Sequence, residues 1–326
     1  MNRTNLKKVV AEIRKHKRFL ITAHTSPEGD ALGAELAFLN LVKKLGKSGV
    51  IINEDVVPKE YNFLPEKENI GIYKQNIRGI EFDCMVIVDC SDLSRTGEVY
   101  KLNKWGRSVI NIDHHVSNDK FGNVNWVDPL ASSASEMVFK LYKEMCVSFD
   151  KVSALQLYVG IMTDTGSFRY TNTTSFTHKA AGELMKFNFD VRLVYKMIYE
   201  SIPFHELKLL SKILLDIKRS MDDKVIWIEI PRHILRHERL SFDLSEQVLS
   251  FMRMAKDAQV VALFKENFGV KDEIRFNLRS HGVVDVNKIA QYFGGGGHKT
   301  ASGCTMCGKL SSVRKKVLAK IRENLK

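Results

Sequence analysis

His24, Glu28 and Asp30 stand at intervals of four and two residues in "TAHTSPEGDAL", directly after the apolar run "RFLI". Further along, Asp89 closes "CMVIVD", Asp113 closes "SVINID" with His114 and His115 behind it, and Asp164 ends "GIMTD". Carboxylates and imidazoles brought together would repel one another and could not all stay ionised without a compensating charge. Divalent cations supply that charge. A donor set of oxygen and imidazole without thiolate suits Mn²⁺ or Mg²⁺, admits Zn²⁺ and suits Cu(I) poorly. Two such ions about 3.5–4 Å apart, bridged by an aspartate, would hold a hydroxide and grip both the attacking and the leaving oxygen of a phosphoryl transfer. On this reading His24, Glu28 and Asp30 are metal ligands, and Gly29 lets the chain turn between them. Taken singly, an aspartate after a strand is more often a cap or turn residue. A lone histidine pair is commonly surface. It is the coincidence of three strand ends with Asp164 that favours a metal centre.

The elements that must position these residues alternate between short apolar runs and amphipathic periods. A helix is expected in "LKKVVAEIRKHK", a strand in "RFLITA", a helix from Asp30 through "ALGAELAFLNLVKKLG", and strands in "SGVIIN", "CMVIVD" and "SVINID". Fully apolar strands between such helices imply a parallel sheet covered on both faces, an α/β layer architecture. In an open parallel sheet the carboxyl ends of the strands line one edge, where ligands bind. From about residue 133 the pattern turns helical, through "SASEMVFKLYKEM", "KVSALQLYVGIMT", "SFTHKAAGELMKF" and "VRLVYKMIYES". After "FHELKLLSKILLDIKRS", the strand-like "KVIWIEI", "QVVALFKENF" and "EIRFNLRS" alternate with helices. The expected organisation is a parallel-sheet catalytic domain over 1–190, a helical linker over 191–217 and a smaller α/β domain over 218–326.

Near the C-terminus "FGGGGHKTASG" places Gly294, Gly295, Gly296 and Gly297 before His298. Successive glycines let backbone N–H groups approach a phosphate and form an anion-binding concavity. The stretch is not a P-loop, because His298 separates the lysine from the last glycine. Nor is it a dinucleotide fingerprint, because the helical "VDVNKIAQYF" precedes it where a strand is required. Arg275 and Arg279 in "EIRFNLRS" share one face of a strand, and guanidinium groups there could take phosphate bidentately. Loop and arginines together suggest a module that binds the substrate's nucleotide or its phosphate.

Composition agrees with a globular protein of one large or two medium domains: 326 residues, 44% hydrophobic and 27% charged. The formal charge of +12 and a pI near 9.3 point, weakly, to a polyanionic partner. Five cysteines scattered through the chain do not form a disulfide framework, which fits a reducing cytoplasm. The N-terminus lacks the apolar region of a secretory signal, and no segment approaches the roughly 20 apolar residues that span a bilayer.

"HTSPEGDALGA", "VIVDCSD", "NIDHHVSN", "GIMTDTGSF" and "FGGGGHKTASG", in this order, resemble the motifs of the DHH phosphoesterase superfamily with its DHH-associated C-terminal domain. The resemblance covers nearly the whole chain. It implies two divalent metal ions, manganese foremost with magnesium as the alternative. One would be held by His24, Glu28 and Asp89, the other by Asp30, Asp89, His114 and Asp164, with Asp89 bridging. Asp113 would orient its neighbours and His115 would contact substrate or assist the leaving group. Arg275, Arg279, Gly294 to Gly297 and His298 would hold the nucleotide. Where most members carry Asp after the proline, this chain carries Glu28. Within the superfamily the two-domain length is similar to the oligoribonucleases that cut short RNA oligonucleotides and remove the 3′-phosphate from adenosine 3′,5′-bisphosphate. Cyclic di-AMP or its linear product is the alternative substrate, and a non-catalytic oligonucleotide binder is the alternative of another class. Homodimers are common in such families, and no apolar stripe in this sequence decides the point.

Overall fold

The computed structural model describes residues 3–74, 79–220, 222–234, 244–267, 270 and 272–325. The chain divides into two units, Met1–Ser201 and Ile202–Lys326. That division falls inside the helical stretch 191–217.

The first unit runs α1 (Arg3–Lys15), β1 (Arg18–Thr22), α2 (Gly29–Lys44), β2 (Ser48–Asn53), β3 (Ile70–Ile72), β4 (Cys84–Val88), β5 (Ser108–Asp113), β6 (Val124–Val127), α3 (Ala134–Glu144), α4 (Lys151–Asp164), α5 (Ser175–Met185) and α6 (Val191–Tyr199). Its sheet has the order β3-β2-β1-β4-β5-β6, with every neighbouring pair parallel. All five residues of β4 are buried, as a parallel strand covered on both faces requires. Alternation along the strand divides them: Cys84, Val86 and Val88 face the helices, whereas Met85 and Ile87 face the opposite side. There the cover is not helical, as the sequence suggested, but made by Phe82, Val99 and the single-turn segments around Leu93 and Leu102. β3 and β6 are absent from the sequence reading. Both are edge strands of three and four residues, too short to show a period.

α2 is buried along nearly its whole length, as a helix that is apolar all round must be. It runs antiparallel to α4 at close range. A Cβ on Gly29 would lie 2.6 Å from Thr163, and one on Gly33 would lie 2.4 Å from the Gln156 carbonyl oxygen. The start of α2, with Asp30, therefore meets the end of α4, with Asp164. One turn further along α2, Glu35 is fully buried and its Oε2 accepts a hydrogen bond from Asn53 Nδ2 at 2.9 Å. Asn53 Oδ1 in turn accepts from the Ala23 N–H at 3.4 Å, which ties the exits of β1 and β2 to α2. Burial pushes the Glu35 carboxyl up to about 8, against the Asn53 hydrogen bond that favours its charged form.

The second unit runs α7 (Phe204–Leu214), β7 (Lys218–Arg219), β8 (Val225–Ile230), α8 (Leu244–Met252), β9 (Val260–Glu266), β10 (Glu273–Ser280), α9 (Val286–Tyr292), β11 (Gly296–His298), β12 (Ala301–Cys307) and α10 (Leu310–Glu323). The order is β11-β12-β10-β9-β8-β7, mixed because only β8 and β9 pair in parallel. α9 and α10 cover one face through Val286, Ile289, Val313, Val317 and Ile321. α7 and α8 cover the other through Leu210, Ile213, Val248 and Leu249. Among the described residues no helix is long and apolar enough to cross a membrane.

Two outcomes follow from the α2 packing. Gly33→Ala drives a methyl group into the α4 backbone and lowers the unfolding free energy by about 1–3 kcal/mol in urea titrations. Glu35 binds its proton more tightly folded than unfolded, so its contribution is fully present below the usual glutamate range and is lost as pH rises toward about 8. Glu35→Gln removes that loss, so urea midpoints at pH 5 and pH 8 lie closer together in the variant than in the wild type.

Candidate metal centre

β1 and β4 are neighbours at the point where the strand order reverses, the place where an open parallel sheet leaves a crevice at its carboxyl edge. His24 lies just beyond β1, Asp89 directly follows β4, and Asp113 ends β5. Asp89 adopts φ +51°, a left-handed conformation uncommon for a residue with a side chain, and its N–H is held by the Ile112 carbonyl at 3.0 Å. The turn directs its carboxylate between three histidines. Oδ2 lies 3.4 Å from His24 Nε2, and Oδ1 lies 3.4 Å from His114 Nε2 and 3.7 Å from His115 Nδ1.

His114 Nε2 is the hub. Besides Asp89 it faces Asp164 Oδ2 at 3.6 Å and Asp30 Oδ2 at 3.9 Å. Asp30 is buried, and both of its oxygens accept backbone N–H bonds from the first turn of α3, Oδ2 from Ala134 at 2.6 Å and Oδ1 from Ser135 at 2.8 Å. An anion at a helix N-terminus is favoured by unpaired N–H groups and the helix dipole. Asp164, partly exposed, takes a 3.3 Å contact from Asn172 Nδ2, which also donates to the Ser132 carbonyl at 2.9 Å. Asp113 is fully buried and holds the histidine pair in place. Its Oδ1 accepts from the His114 N–H at 2.8 Å and pairs with His115 Nδ1 at 2.7 Å, and its Oδ2 accepts from Asn118 Nδ2 at 2.6 Å.

The electrostatics record unresolved charge. Burial raises the Asp30 carboxyl, and Asp89 adds to it, to about 7. Asp164 is likewise raised by burial, with Asp30 and Asp89 adding and His114 opposing, to about 7. Asp89 is held well below the usual carboxylate range, because its histidine neighbours outweigh the burial that would raise it. His114 is raised well above its ordinary value, since Asp164 and Asp89 outweigh burial. Asp113 is depressed because His115 overcomes the effect of burial.

The donor set fits a divalent cation. Asp89 Oδ1 is buried and has no hydrogen-bond partner, the condition of a ligand atom directed at a metal rather than at a proton. The carboxylate contacts around His114 Nε2, at 3.4–3.9 Å, are longer than hydrogen bonds. Two groups place one ligand atom per residue within 4.8 Å of one another: Asp89, Asp113, His114 and His115, and Asp30, His114 and Asp164. His24 adjoins the first through Asp89. Neither group includes Glu28, which is exposed at the N-cap position of α2 and makes no side-chain cap.

In the second unit the strand spacing places Arg275 and Arg279 on one face, opposite the buried Ile274, Phe276 and Leu278. Arg275 is exposed, whereas Arg279 forms an ion pair with Glu246 of α8 and donates to the Leu278 carbonyl at 3.1 Å. The glycines do more structural work than the sequence suggests. The N–H groups of Gly294 and Gly295 close α9 onto Gln291 and Ala290 at 3.0 and 2.9 Å. Gly297, at φ +140°, opens a β11–β12 hairpin in which a Cβ would lie 2.5 Å from the Ala301 carbonyl. Around Gly296 a Cβ would meet nothing within 4 Å.

Three contributors escaped the sequence reading: the N-terminus of α3, Asn118 and Asn172. Asn118 stands inside the motif "NIDHHVSN", yet asparagine in a loop reads as a turn residue. The α3 N-terminus carries a capping serine, Ser133, but nothing in one dimension links it to an aspartate more than a hundred residues earlier.

Comparison with known proteins identifies two domains in the chain. The N-terminal domain of the DHH family matches residues 18–161, and the DHHA1 domain matches residues 222–326. The chain is 29% identical over 98% of its length, and 94% of the relative's, to the bifunctional oligoribonuclease and PAP phosphatase NrnA of Thermus thermophilus. It is 28% identical over 92% of its length, and 93% of the relative's, to the probable bifunctional oligoribonuclease and PAP phosphatase NrnA of Streptococcus mutans. The crystal structure of an exopolyphosphatase-related protein from Bacteroides fragilis superposes with a TM-score of 0.89 at 24% identity, covering 98% of this chain and 96% of that one, and so shares the fold. The chain thus carries the N-terminal domain of the DHH family on the six-stranded parallel sheet and a DHHA1 domain on the mixed one.

Proposed function

We propose that this protein is a metal-dependent phosphoesterase that degrades short oligoribonucleotides to mononucleotides and removes the 3′-phosphate from adenosine 3′,5′-bisphosphate. The observation that carries the reading is the convergence of Asp30, Asp89 and Asp164 on His114 at the switch point of the sheet. Relatives named for both activities, aligned over nearly the full chain, support the substrate class.

His24, Asp30, Asp89, His114 and Asp164 would hold two divalent ions, manganese foremost and magnesium as the alternative, with Asp89 common to both. When bound, such ions supply Lewis acidity toward the phosphoryl oxygens and lower the pKa of water. The chain's own residues set up the rest. The α3 N-terminus keeps Asp30 oriented, Asn172 does the same for Asp164, and Asp113 fixes the ring of His115 through Nδ1. An imidazole oriented in this way can exchange a proton with a leaving oxygen. In the second unit Arg275 and the open surround of Gly296 would take the nucleotide, and Glu28, exposed at the N-cap position of α2, would add a carboxylate to the metal site.

The test is product release in Mn²⁺ from 5′-labelled di-adenylate, a five-nucleotide RNA, adenosine 3′,5′-bisphosphate and cyclic di-AMP in parallel. The first three are turned over, and Asp89→Ala lowers each rate by a factor on the order of 10³ or more. Turnover of cyclic di-AMP alone would move the assignment to nucleotide signalling, and RNA binding without turnover would leave a non-catalytic binder. Arg275→Ala raises KM for di-adenylate on the order of tenfold with little change in kcat, the mark of a group that binds ground and transition states alike.

A further inference from the structure

Directly after Asp164 the chain makes a turn that residues with side chains rarely adopt. Gly166, Ser167 and Phe168 follow one another at φ +55°, +59° and +64°. Left-handed backbone costs roughly 1–2 kcal/mol for each residue bearing a Cβ, so such a turn persists only where its surroundings over-determine it. Thr165 is what does so. Its hydroxyl accepts from the Phe168 N–H at 3.1 Å, and its carbonyl accepts from both Arg169 and Tyr170 at 3.0 Å. The Tyr170 ring lies over Gly166 so closely that a Cβ there would be 2.3 Å from it.

The product of this turn is the placement of one guanidinium. Arg169 Nε donates to the Gly166 carbonyl at 2.8 Å, two residues from Asp164. An exposed arginine ordinarily samples many rotamers, but here one donor is committed and the plane of the fork is set. Its two terminal nitrogens make no hydrogen bond or ion pair with the described residues. A planar fork with unspent donors matches two oxygens of a phosphate. Asp164, two residues before Gly166, belongs to a cluster with Asp30 and His114, and a phosphorylated substrate approaching those carboxylates is itself an anion that a cation held close in sequence would help to bind.

We propose that Arg169 is a phosphate-binding residue of the first unit, which holds a phosphate of the substrate other than the one being cleaved. The inference rests on the phosphoesterase reading above and adds a subsite to it. For adenosine 3′,5′-bisphosphate the phosphate held is the 5′ group, and for an oligoribonucleotide it is a neighbouring backbone phosphate.

The experiment compares adenosine 3′,5′-bisphosphate with 3′-AMP, which lacks the 5′-phosphate, in wild type, Arg169→Ala and Arg169→Lys. The ratio of kcat/KM values for the two substrates falls on the order of 10- to 100-fold in Arg169→Ala, the value of charge-assisted hydrogen bonds. Arg169→Lys recovers part of that ratio, because it keeps the charge and loses the fork. A ratio equal to that of the wild type overturns the proposal even if both rates fall, since a purely structural role would slow both substrates alike. Where the wild type turns over neither substrate, the phosphoesterase reading has failed on its own. Calorimetric Kd values for the same two nucleotides then decide Arg169, their ratio collapsing in Arg169→Ala if it binds phosphate and persisting if it does not.

Discussion

Three carboxylates packed around one imidazole nitrogen, in a site largely withdrawn from water, are the constraint on which the first unit depends. Burial penalises each charge separately, and proximity penalises the carboxylates jointly. Burial and mutual repulsion raise the Asp30 and Asp164 carboxyls to about 7, while the histidines around Asp89 hold its carboxyl down. Asp89 Oδ1 is buried without a hydrogen-bond partner.

The fold carries this cost by spending its strongest local features on the site. The N-terminus of α3 stabilises Asp30 with two backbone N–H groups. A left-handed residue ends β4 so that the Asp89 carboxylate turns between the histidines rather than along the strand. Antiparallel packing of α2 on α4 at glycine distance brings the first turn of one helix to the last turn of the other, and so joins Asp30 to Asp164. Asp113, although part of the motif, works from behind. Fully buried and bonded to His115 and Asn118, it fixes imidazole orientation, much as carboxylates behind metal-bound histidines do elsewhere.

The second unit distributes its resources differently. Much of the glycine run serves the end of α9 and the tight hairpin that follows, and Arg279 is already paired within the unit. Arg275 is exposed, and a Cβ on Gly294 or Gly296 would meet nothing within 4 Å.

Much of this protein is legible in one dimension. The largely apolar runs that precede His24, Asp89 and Asp113 located β1, β4 and β5, because a strand buried on both faces has little room for polar side chains, and "SGVIIN" located β2, which is only partly buried. The same rule marked the strand ends as the places where Asp89, Asp113 and His24 emerge, so most of the cluster could be named before any contact was known. The edge strands β3 and β6 could not, being too short to carry a period. By itself the sequence determined which residue types lie at the sheet's carboxyl edge, since that follows from local burial and periodicity. Only the tertiary structure decided which of them meet. It set Glu28 at an exposed N-cap position of α2, and it paired Arg279 with Glu246. It also drew Asn118, Asn172 and the start of α3 into the site, because side-chain direction and contacts between distant segments depend on how helices and strands pack.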